Sequence, residues 1–322
     1  MTRNLVDFES FSEYLHMPFI SICIPAYKHP DFMERLLESI AGQRFRDFEV
    51  IVSDDTPGTE VKAVCERYND LPLTYLHNDP ALGSPANWNN AIRYARGEWI
   101  KLIHDDDWLN GEDALQQFAD AARRDPTAGF IFSGYSKWEG NKCVGSKIPG
   151  TKEERRLSHT SIDLVADNFV GHPSVTMIRN RKQEWYDERV KWVVDFEFYI
   201  RELKHSKPVA ISKILVNIGV HEQQVTQLSK RKPEIEIPEH LYLFEKLGPG
   251  ILNNLRVYDH YWRLFRNLNF KSLNEAAVYA GDLEIPSILV SMWSLESRFP
   301  NWLLQFGPAS KLLMYLSYTF NR

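Results

Sequence analysis

Three consecutive carboxylates, Asp105, Asp106 and Asp107, are the residues of this chain best suited to chemistry. They come directly after an apolar run at residues 99–103, which predicts a buried strand. Ligands of an open α/β sheet bind at the carboxyl ends of its strands, where these side chains would stand. Carboxylate oxygens suit Mg²⁺ or Mn²⁺, which proteins hold with one or two carboxylates and substrate phosphates. The pattern predicts a cation that holds a nucleotide diphosphate, although a helix-capping acidic turn would have the same residues.

Strand and helix patterns alternate on both sides of this cluster. Apolar runs predict strands at residues 19–24, 48–52, 73–76, 99–103 and 129–133. Apolar residues repeating every three to four positions predict helices at 31–43, 60–68, 86–96 and 111–124. This alternation predicts an α/β fold, with a doubly wound, mostly parallel, Rossmann-like sheet and right-handed crossovers.

The chain after this alternation is less regular. Residues 136–160 are polar and rich in Gly, Lys and Arg, which predicts a long excursion or a mobile loop. From residue 231 onward, prolines separate short stretches rich in Trp, Tyr, Phe and Leu, which predicts a C-terminal helical subdomain.

Composition excludes several classes of protein. The chain has 322 residues, of which 43% are hydrophobic and 25% charged, so it can bury a large core. Its net charge of -5 gives no basic field, and we expect no nucleic-acid partner. Cys23, Cys65 and Cys143 are far apart and lack metal-binding spacing, which predicts a reduced, cytoplasmic protein. Because no stretch approaches the length of a membrane span, we expect a soluble protein or one at the inner face of the membrane.

Four segments follow one another in an order that is more specific than any of them alone. They are Ile22-Cys23-Ile24-Pro25-Ala26-Tyr27, Ile51-Val52-Ser53-Asp54-Asp55, Gly97-Glu98-Trp99-Ile100 and Asp105-Asp106-Asp107. Together they resemble the family 2 inverting glycosyltransferases with the GT-A fold. The resemblance implies a nucleoside-diphosphate sugar donor, a glycan or lipid-linked saccharide acceptor, and Mn²⁺ or Mg²⁺ as the cofactor.

The resemblance also implies roles for individual residues. The implied nucleotide contacts are Pro25, Ala26, Tyr27, Asp54, Asp55, Asn87, Asn89 and Asp105. The implied metal ligands are Asp106, Asp107 and His221. A carboxylate that accepts a hydrogen bond from a pyrimidine imide N–H is physically reasonable at Asp55. Trp88 stands where family members usually carry Arg, so no cationic contact is expected from it.

A second acidic segment lies at residues 193–201, where the periodicity is helical. It resembles the family segment in which an acidic residue opens a helix that ends in Arg, and this implies that Asp195 is the general base. Inverting transfer needs one carboxylate to take the acceptor proton while the acceptor oxygen attacks the anomeric carbon opposite the leaving diphosphate. Asp195 could instead be a helix N-cap, and Glu197 a charge at the edge of the core.

These segments predict a division of the chain. We expect an N-terminal extension at 1–18, a catalytic domain at 19–230 and a helical appendage at 231–322. The catalytic domain would contain a nucleotide-binding half, 19–135, and an acceptor-binding half, 136–230. The appendage has more apolar surface than short helices can hide, so it would pack on the catalytic domain, form a homodimer or contact a membrane.

Other functions fit the sequence less well. A phosphatase with an Asp nucleophile needs a second carboxylate two residues later, and after Asp54 that position is Thr56. A metal-dependent nucleotidyltransferase would have a Gly-rich loop after the first strand, whereas residues 25–30 contain no Gly. A non-catalytic sugar-nucleotide-binding or scaffold protein stays open as an alternative, although Asp195 argues for an enzyme.

Overall fold

The computed structural model of the chain describes residues 17–182, 185–221 and 231–321. Most of the expected N-terminal extension, and the nine residues after His221, lie outside this part. The chain divides into two compact units. The first contains the residues up to Ile148 and two later segments, Pro173–Trp185 and Ile211–Gly219. The second contains Pro149–His172, Tyr186–Ala210 and the chain from Val220 onward.

Within the described residues, nine strands form a single sheet. The strands are β1 Ile20–Ala26, β2 Phe48–Asp54, β3 Leu73–His77, β4 Trp99–Leu102, β5 Trp108–Leu109, β6 Ala128–Glu139, β7 Lys142–Lys147, β8 Thr176–Arg179 and β9 Lys207–Gly219. Their order in the sheet is β3-β2-β1-β4-β8-β6-β9-β5, and β7 pairs with β6.

The sheet is mixed, with a parallel half and an antiparallel half. β1 pairs in parallel with β2 and β4, and β2 pairs in parallel with β3. β8 is antiparallel to β4 and β6, β7 is antiparallel to β6, and β5 is antiparallel to β9. The α/β fold class is confirmed, and the parallel half is the one that the alternation predicts. Because β1, β2 and β4 run the same way, their carboxyl ends meet at one edge of the sheet.

Four helices accompany the strands of the first unit within its described residues. They are α1 Pro30–Ala41, α2 Glu60–Cys65, α3 Ala86–Arg93 and α4 Ala114–Arg124. Each buries an apolar face, as Leu36, Leu37 and Ile40 do in α1. The four helices predicted for this region are confirmed, with ends that differ from the predicted ones by a few residues.

Of the two structures predicted for residues 136–160, a long excursion or a mobile loop, the mobile loop is wrong. Strand β6 continues to Glu139, turns through Gly140 and returns as β7, and helix α5 occupies Thr151–Thr160. Gly140 has a φ of 56°, which its lack of a side chain permits. Most of β7 is exposed, and Leu157 is the buried residue of α5. The segment is polar because it forms a surface hairpin and a surface helix, so hydrophobic periodicity did not reveal it.

Helices dominate the described part of the second unit. After α5 they are α6 Val194–Glu202, α7 Pro233–Leu247, α8 Leu255–Asn267, α9 Leu273–Ala280, α10 Ser287–Glu296, α11 Asn301–Gln305 and α12 Gly307–Phe320. Helix α8 is central to this packing, because the Trp262 indole donates to Ser310 of α12 at 3.0 Å. The Tyr258 hydroxyl lies 2.7 Å from that of Ser317, also in α12. The helices predicted after residue 231 are confirmed, and none in the described residues is long and apolar enough to cross a membrane.

Candidate nucleotide and metal site

The acidic cluster forms a tight turn where β4 ends. The chain leaves the sheet after Leu102 and turns back, with the amide of Asp107 donating to the carbonyl of His104 at 3.1 Å. A ring nitrogen of His104 and one carboxylate oxygen each of Asp106 and Asp107 lie within 4.8 Å of one another. The turn therefore collects one nitrogen and two oxygen donors in a space that a single cation could occupy.

Strand β9 holds this turn from one side. The Asp107 carboxylate accepts a hydrogen bond of 3.0 Å from the amide of Gly219, the last residue of β9. A Cβ atom on Gly219 would lie only 2.4 Å from the Asp106 carbonyl oxygen, so a side chain there would push the turn away. Arg35 donates to the same carbonyl at 2.7 Å. These contacts fix the backbone of the turn at Asp106 and Asp107.

Ser174 and Lys101 support the turn from below. The amide of His104 donates to the Ser174 hydroxyl at 3.0 Å, and the Lys101 ammonium bonds to the Ser174 carbonyl. Lys101 is fully buried, and burial lowers its pKa to about 7. The charge of nearby Asp107 opposes that shift, because a carboxylate favours the protonated amine.

Electrostatics in the turn favour a bound cation. Burial raises the pKa of Asp105 and of Asp107 well above the usual range, and the charge of Asp106 raises both further. Burial also lowers the pKa of His104, so its imidazole is neutral at pH 7 and keeps a lone pair. Close carboxylates repel one another in a low-dielectric site, and a divalent cation removes that repulsion. The donors present therefore fit the predicted metal.

The turn after β1 lies beside the acidic turn. Pro25 and Ala26 are the last residues of buried β1, and the amide of Tyr27 donates to the Asp105 carboxylate at 3.0 Å. The Tyr27 side chain is 51% exposed, so its ring is open to a ligand. Asp105 thus orients the turn after β1, and its role as a nucleotide contact stays a prediction.

The acidic pair after β2 orders loops of the protein. Asp54 is fully buried and accepts hydrogen bonds from the amide of Thr56 at 2.8 Å and the hydroxyl of Tyr75 at 2.6 Å. Asp55 accepts from the amides of Leu82 and Gly83 at 3.0 and 2.8 Å. Both carboxylates are buried and accept protein hydrogen bonds on both oxygens, so their nucleotide roles stay predictions.

Helix α3 braces the same edge of the sheet. Asn87 donates from its amide nitrogen to the Ala26 carbonyl at 3.2 Å, and Asn89 is also buried. The Trp88 ring packs against the His104 ring, with centroids 4.7 Å apart. The residue in the usual place of an Arg therefore supports the acidic turn. The nucleotide roles of Asn87 and Asn89 stay predictions.

Asp195 lies in the second unit, near the start of α6. Helix α6 begins at Val194, so Asp195 is inside its first turn and is not an N-cap. Burial raises the pKa of Asp195 to about 7, which is a suitable value for a general base at neutral pH. Glu197 is buried and forms ion pairs with Arg201 at 3.0 Å and Lys246 at 2.7 Å. Its carboxylate is therefore a structural charge, which favours Asp195 as the reactive one.

The segment that leads into α6 is held by a carboxylate from α7. Glu239 accepts hydrogen bonds from the successive amides of Lys191, Trp192 and Val193, at 3.0, 2.7 and 3.1 Å. These hydrogen bonds fix the backbone just before Asp195, and Glu239 belongs to the predicted appendage. Sequence reasoning did not find Glu239, because nothing in its surroundings distinguishes it from other helix carboxylates.

The structure thus brings together the predicted residues of the first unit. At the carboxyl edge of the parallel strands it places the acidic turn together with Pro25, Ala26, Tyr27 and Asp55. Asp195 and His221 belong to the second unit, and His221 as a metal ligand stays a prediction. The sequence analysis overlooked His104, although an imidazole directly before three carboxylates was a visible signal.

Comparison with known proteins defines the class to which this fold and site belong. Residues 21–183, half of the chain, match the model of the family described as glycosyl transferase family 2. The chain belongs to this family and has the GT-A type of fold.

Individual relatives share low sequence identity with this chain. The chain is 26% identical over 224 residues to the putative colanic acid biosynthesis glycosyl transferase WcaA of Escherichia coli, covering 66% of this chain and 77% of that protein. Another curated relative is matched over 63% of its length. The S. aureus TarS 1–349 complex with UDP-GlcNAc has a TM-score of 0.55 at 15% identity, covering 87% of this chain and 90% of TarS. The mannosyltransferase PcManGT of Pyrobaculum calidifontis, in complex with GDP-Man and Mn²⁺, has a TM-score of 0.55 at 15% identity, with coverages of 95% and 88%. At such identities the two structures show a shared fold.

Proposed function

We propose that this protein is a metal-dependent, inverting glycosyltransferase that moves a sugar from a nucleoside-diphosphate sugar to a saccharide acceptor. The observation that carries the proposal is the meeting of the β1 turn, Asp55 and the His104–Asp107 turn at one sheet edge. Of the solved structures with this fold, one holds UDP-GlcNAc and another holds GDP-Man with Mn²⁺, which supports a sugar nucleotide as donor.

The donor would bind along the carboxyl edge of the parallel strands. The exposed Tyr27 ring offers a stacking surface for the base, since aromatic rings and bases pack face to face. Asp55 would accept from the base, and its bonds to the amides of Leu82 and Gly83 hold its carboxylate in place. Asp105, tied to the amide of Tyr27, would set the distance between the base and the diphosphate.

Asp106 and Asp107 would hold the divalent cation beside the diphosphate. When bound, the cation offsets the negative charge that builds on the leaving diphosphate. Asp107 is oriented by the amide of Gly219, and the turn backbone by Arg35. Mn²⁺ is the ion that we favour, since it accompanies GDP-Man in the mannosyltransferase of similar fold.

Asp195 would act as the general base. Its carboxylate takes the proton of the acceptor hydroxyl, whose oxygen forms a bond to the anomeric carbon as the bond from that carbon to the diphosphate breaks. Attack opposite the leaving group inverts the anomeric configuration, and no enzyme nucleophile is required. With a pKa of about 7, Asp195 is about half ionised at pH 7, and its ionised form is a stronger base than an ordinary carboxylate.

The acceptor that we propose is a growing glycan or a lipid-linked saccharide. The relative WcaA is named for colanic acid biosynthesis, which supports a role in making polysaccharide. We place the protein in the cytoplasm, at the inner face of the membrane, where a lipid-linked acceptor would be available.

An exposed apolar surface on α11 and α12 supports the membrane contact. Its side chains, at least 42% exposed, are Trp302, Phe306, Leu312, Tyr315, Leu316 and Phe320. The opposite side of α12 is already buried against α8. Residues 297–321 contain two cations, Arg298 and Lys311, and no Asp or Glu. We propose that an anionic lipid surface covers this face, since cations beside exposed aromatic residues suit the headgroup region.

Vesicle flotation tests the membrane contact. The protein should float with phosphatidylglycerol vesicles at low salt, and Leu312→Glu should abolish this, while Val278→Glu on α9, 77% exposed, should not. If the protein does not float, the lipid assignment is refuted. If light scattering shows a dimer that Leu312→Glu separates, the surface is instead a homodimer interface.

A donor screen tests the function itself. Release of nucleoside diphosphate is measured with UDP-, GDP- and TDP-sugars, and the anomeric configuration of the product is read by NMR. One donor should react with inversion, EDTA should abolish the reaction, and Mn²⁺ should restore it. Retention of configuration would refute the single-displacement mechanism, and full turnover in EDTA or in Asp106→Ala would refute the metal assignment.

A further inference from the structure

One group of the acidic turn has no role in the function proposed above. The Nε2 atom of His104 is buried and has no hydrogen-bond partner in the described part of the structure. Leaving such an atom unpaired destabilises the folded state, so native proteins rarely keep one without a ligand. A ring nitrogen of His104 also belongs to the same group of donors as the Asp106 and Asp107 carboxylates.

The distances within this group suit a single ion. Two ligands bound to one ion at about 2.1 Å lie at most about 4.2 Å apart. The three donors of His104, Asp106 and Asp107 lie within 4.8 Å of one another, so a small closure of the turn would bring all three into contact with one cation.

The His104 ring is held in position by its neighbours. The Trp88 ring packs on it at 4.7 Å between centroids, with an angle of 47° between the planes. The His104 amide is bonded to the Ser174 hydroxyl, which fixes the backbone beneath the ring. A metal ligand needs this kind of support, because neighbouring groups fix the orientation of the imidazole.

We propose that His104 is a nitrogen ligand of the cation, and that it makes the site select Mn²⁺ and similar transition ions over Mg²⁺. The inference rests on the proposed metal-dependent function and adds a ligand that this function does not require. Mg²⁺ strongly prefers oxygen ligands, whereas imidazole is a good ligand for transition metals. Replacing the imidazole by a carboxylate would produce an oxygen-only site in which Mg²⁺ competes better.

Pulsed electron paramagnetic resonance of Mn²⁺ bound to the full chain tests this directly, without a measurement of activity. The wild type should show modulation from a coordinated ¹⁴N nucleus, and the pattern should change in protein made with ¹⁵N-histidine. His104→Asp should bind Mn²⁺ without the nitrogen signal. The Mg²⁺ concentration that displaces its bound Mn²⁺ should be lower than for the wild type, by on the order of tenfold. The ¹⁵N comparison uses unaltered protein, so it holds even if the variant fails to fold.

The possible outcomes separate this inference from the function on which it rests. His221→Ala is the matched variant, since His221 is the other predicted imidazole ligand, and it should keep the nitrogen signal. Bound Mn²⁺ without nitrogen modulation, or modulation that survives in His104→Asp, would overturn the role of His104 and leave the metal-dependent function intact. If the wild type binds no Mn²⁺, both proposals fall.

Discussion

Replacing Asp195 with Asn should stabilise the protein while it removes most of the activity. Burial raises the pKa of Asp195 from 3.8 to about 7, so the folded state holds the proton more tightly than the unfolded state does. Each unit of pKa difference corresponds to about 1.4 kcal/mol, so the ionised Asp195 lowers the free energy of unfolding by ~4 kcal/mol. A neutral Asn does not have this cost.

The sign of the effect depends on pH. Well below pH 4, Asp195 is protonated in both the folded and the unfolded state, and it does not affect stability. Between about pH 4 and 7 the unfolded state has lost its proton while the folded state keeps it, so wild-type stability falls as pH rises. Above pH 7 the cost is constant. The Asn variant should therefore exceed the wild type by about 2 kcal/mol at pH 5 and by ~4 kcal/mol at pH 8.

Urea denaturation of both proteins at the two pH values measures this difference. Asp282→Asn is the matched control, because Asp282 is exposed and lies in the same unit. Turnover should fall on the order of a hundredfold or more in Asp195→Asn with donor affinity nearly unchanged. An Asn variant that is less stable at pH 8, or as active as the wild type, would refute a general base with a raised pKa at this position.

Two further substitutions test the supports of the site. Gly219→Ala should weaken Mn²⁺ binding by on the order of tenfold, because its Cβ would lie 2.4 Å from the Asp106 carbonyl oxygen and displace the turn. Calorimetric titration with Mn²⁺ measures this. Glu239→Gln should lower kcat by on the order of tenfold without changing donor affinity, because it weakens the hydrogen bonds to the amides of residues 191–193 before α6. Donor titration and steady-state kinetics separate the two parameters.

Controls of the same chemistry exist for both. Gly145→Ala adds a methyl group that meets nothing within 4 Å, so it should bind Mn²⁺ normally. Glu245→Gln alters an exposed carboxylate on the same helix as Glu239 and should keep the wild-type kcat. Normal metal binding in Gly219→Ala, or an unchanged kcat in Glu239→Gln, would show that the contact in question does not position the site.

Regular apolar patterns predicted the parallel half of the fold well. Strands β1 and β2 are buried along their whole length, and such strands read as continuous apolar runs that end in turns. The last part of β6 and the whole of β7 were missed, because the exposed residues of this hairpin are polar and show no apolar pattern. The division into units follows contacts between distant parts of the chain, such as the pairing of β4 with β8, which a local pattern does not encode.

The candidate site was predicted unevenly for a similar reason. The family motifs supplied Tyr27, Asp55, Asp106 and Asp107, since each lies at the end of a strand where ligands of a parallel sheet bind. Gly219 could not be chosen among many glycines, because its importance depends on how closely the end of β9 approaches the Asp106 backbone.

The sequence by itself determined which chemical groups stand at the ends of the strands, because the apolar runs and the acidic cluster are local. Only the tertiary structure decided how those groups are used. In the folded chain both oxygens of Asp54 accept hydrogen bonds from protein donors, and Lys101 is buried next to the acidic turn. A ring nitrogen of His104 lies within 4.8 Å of carboxylate oxygens of Asp106 and Asp107. Burial and the distance between chain segments set pKa values and ligand geometry, and these exist only once remote parts of the chain have packed together.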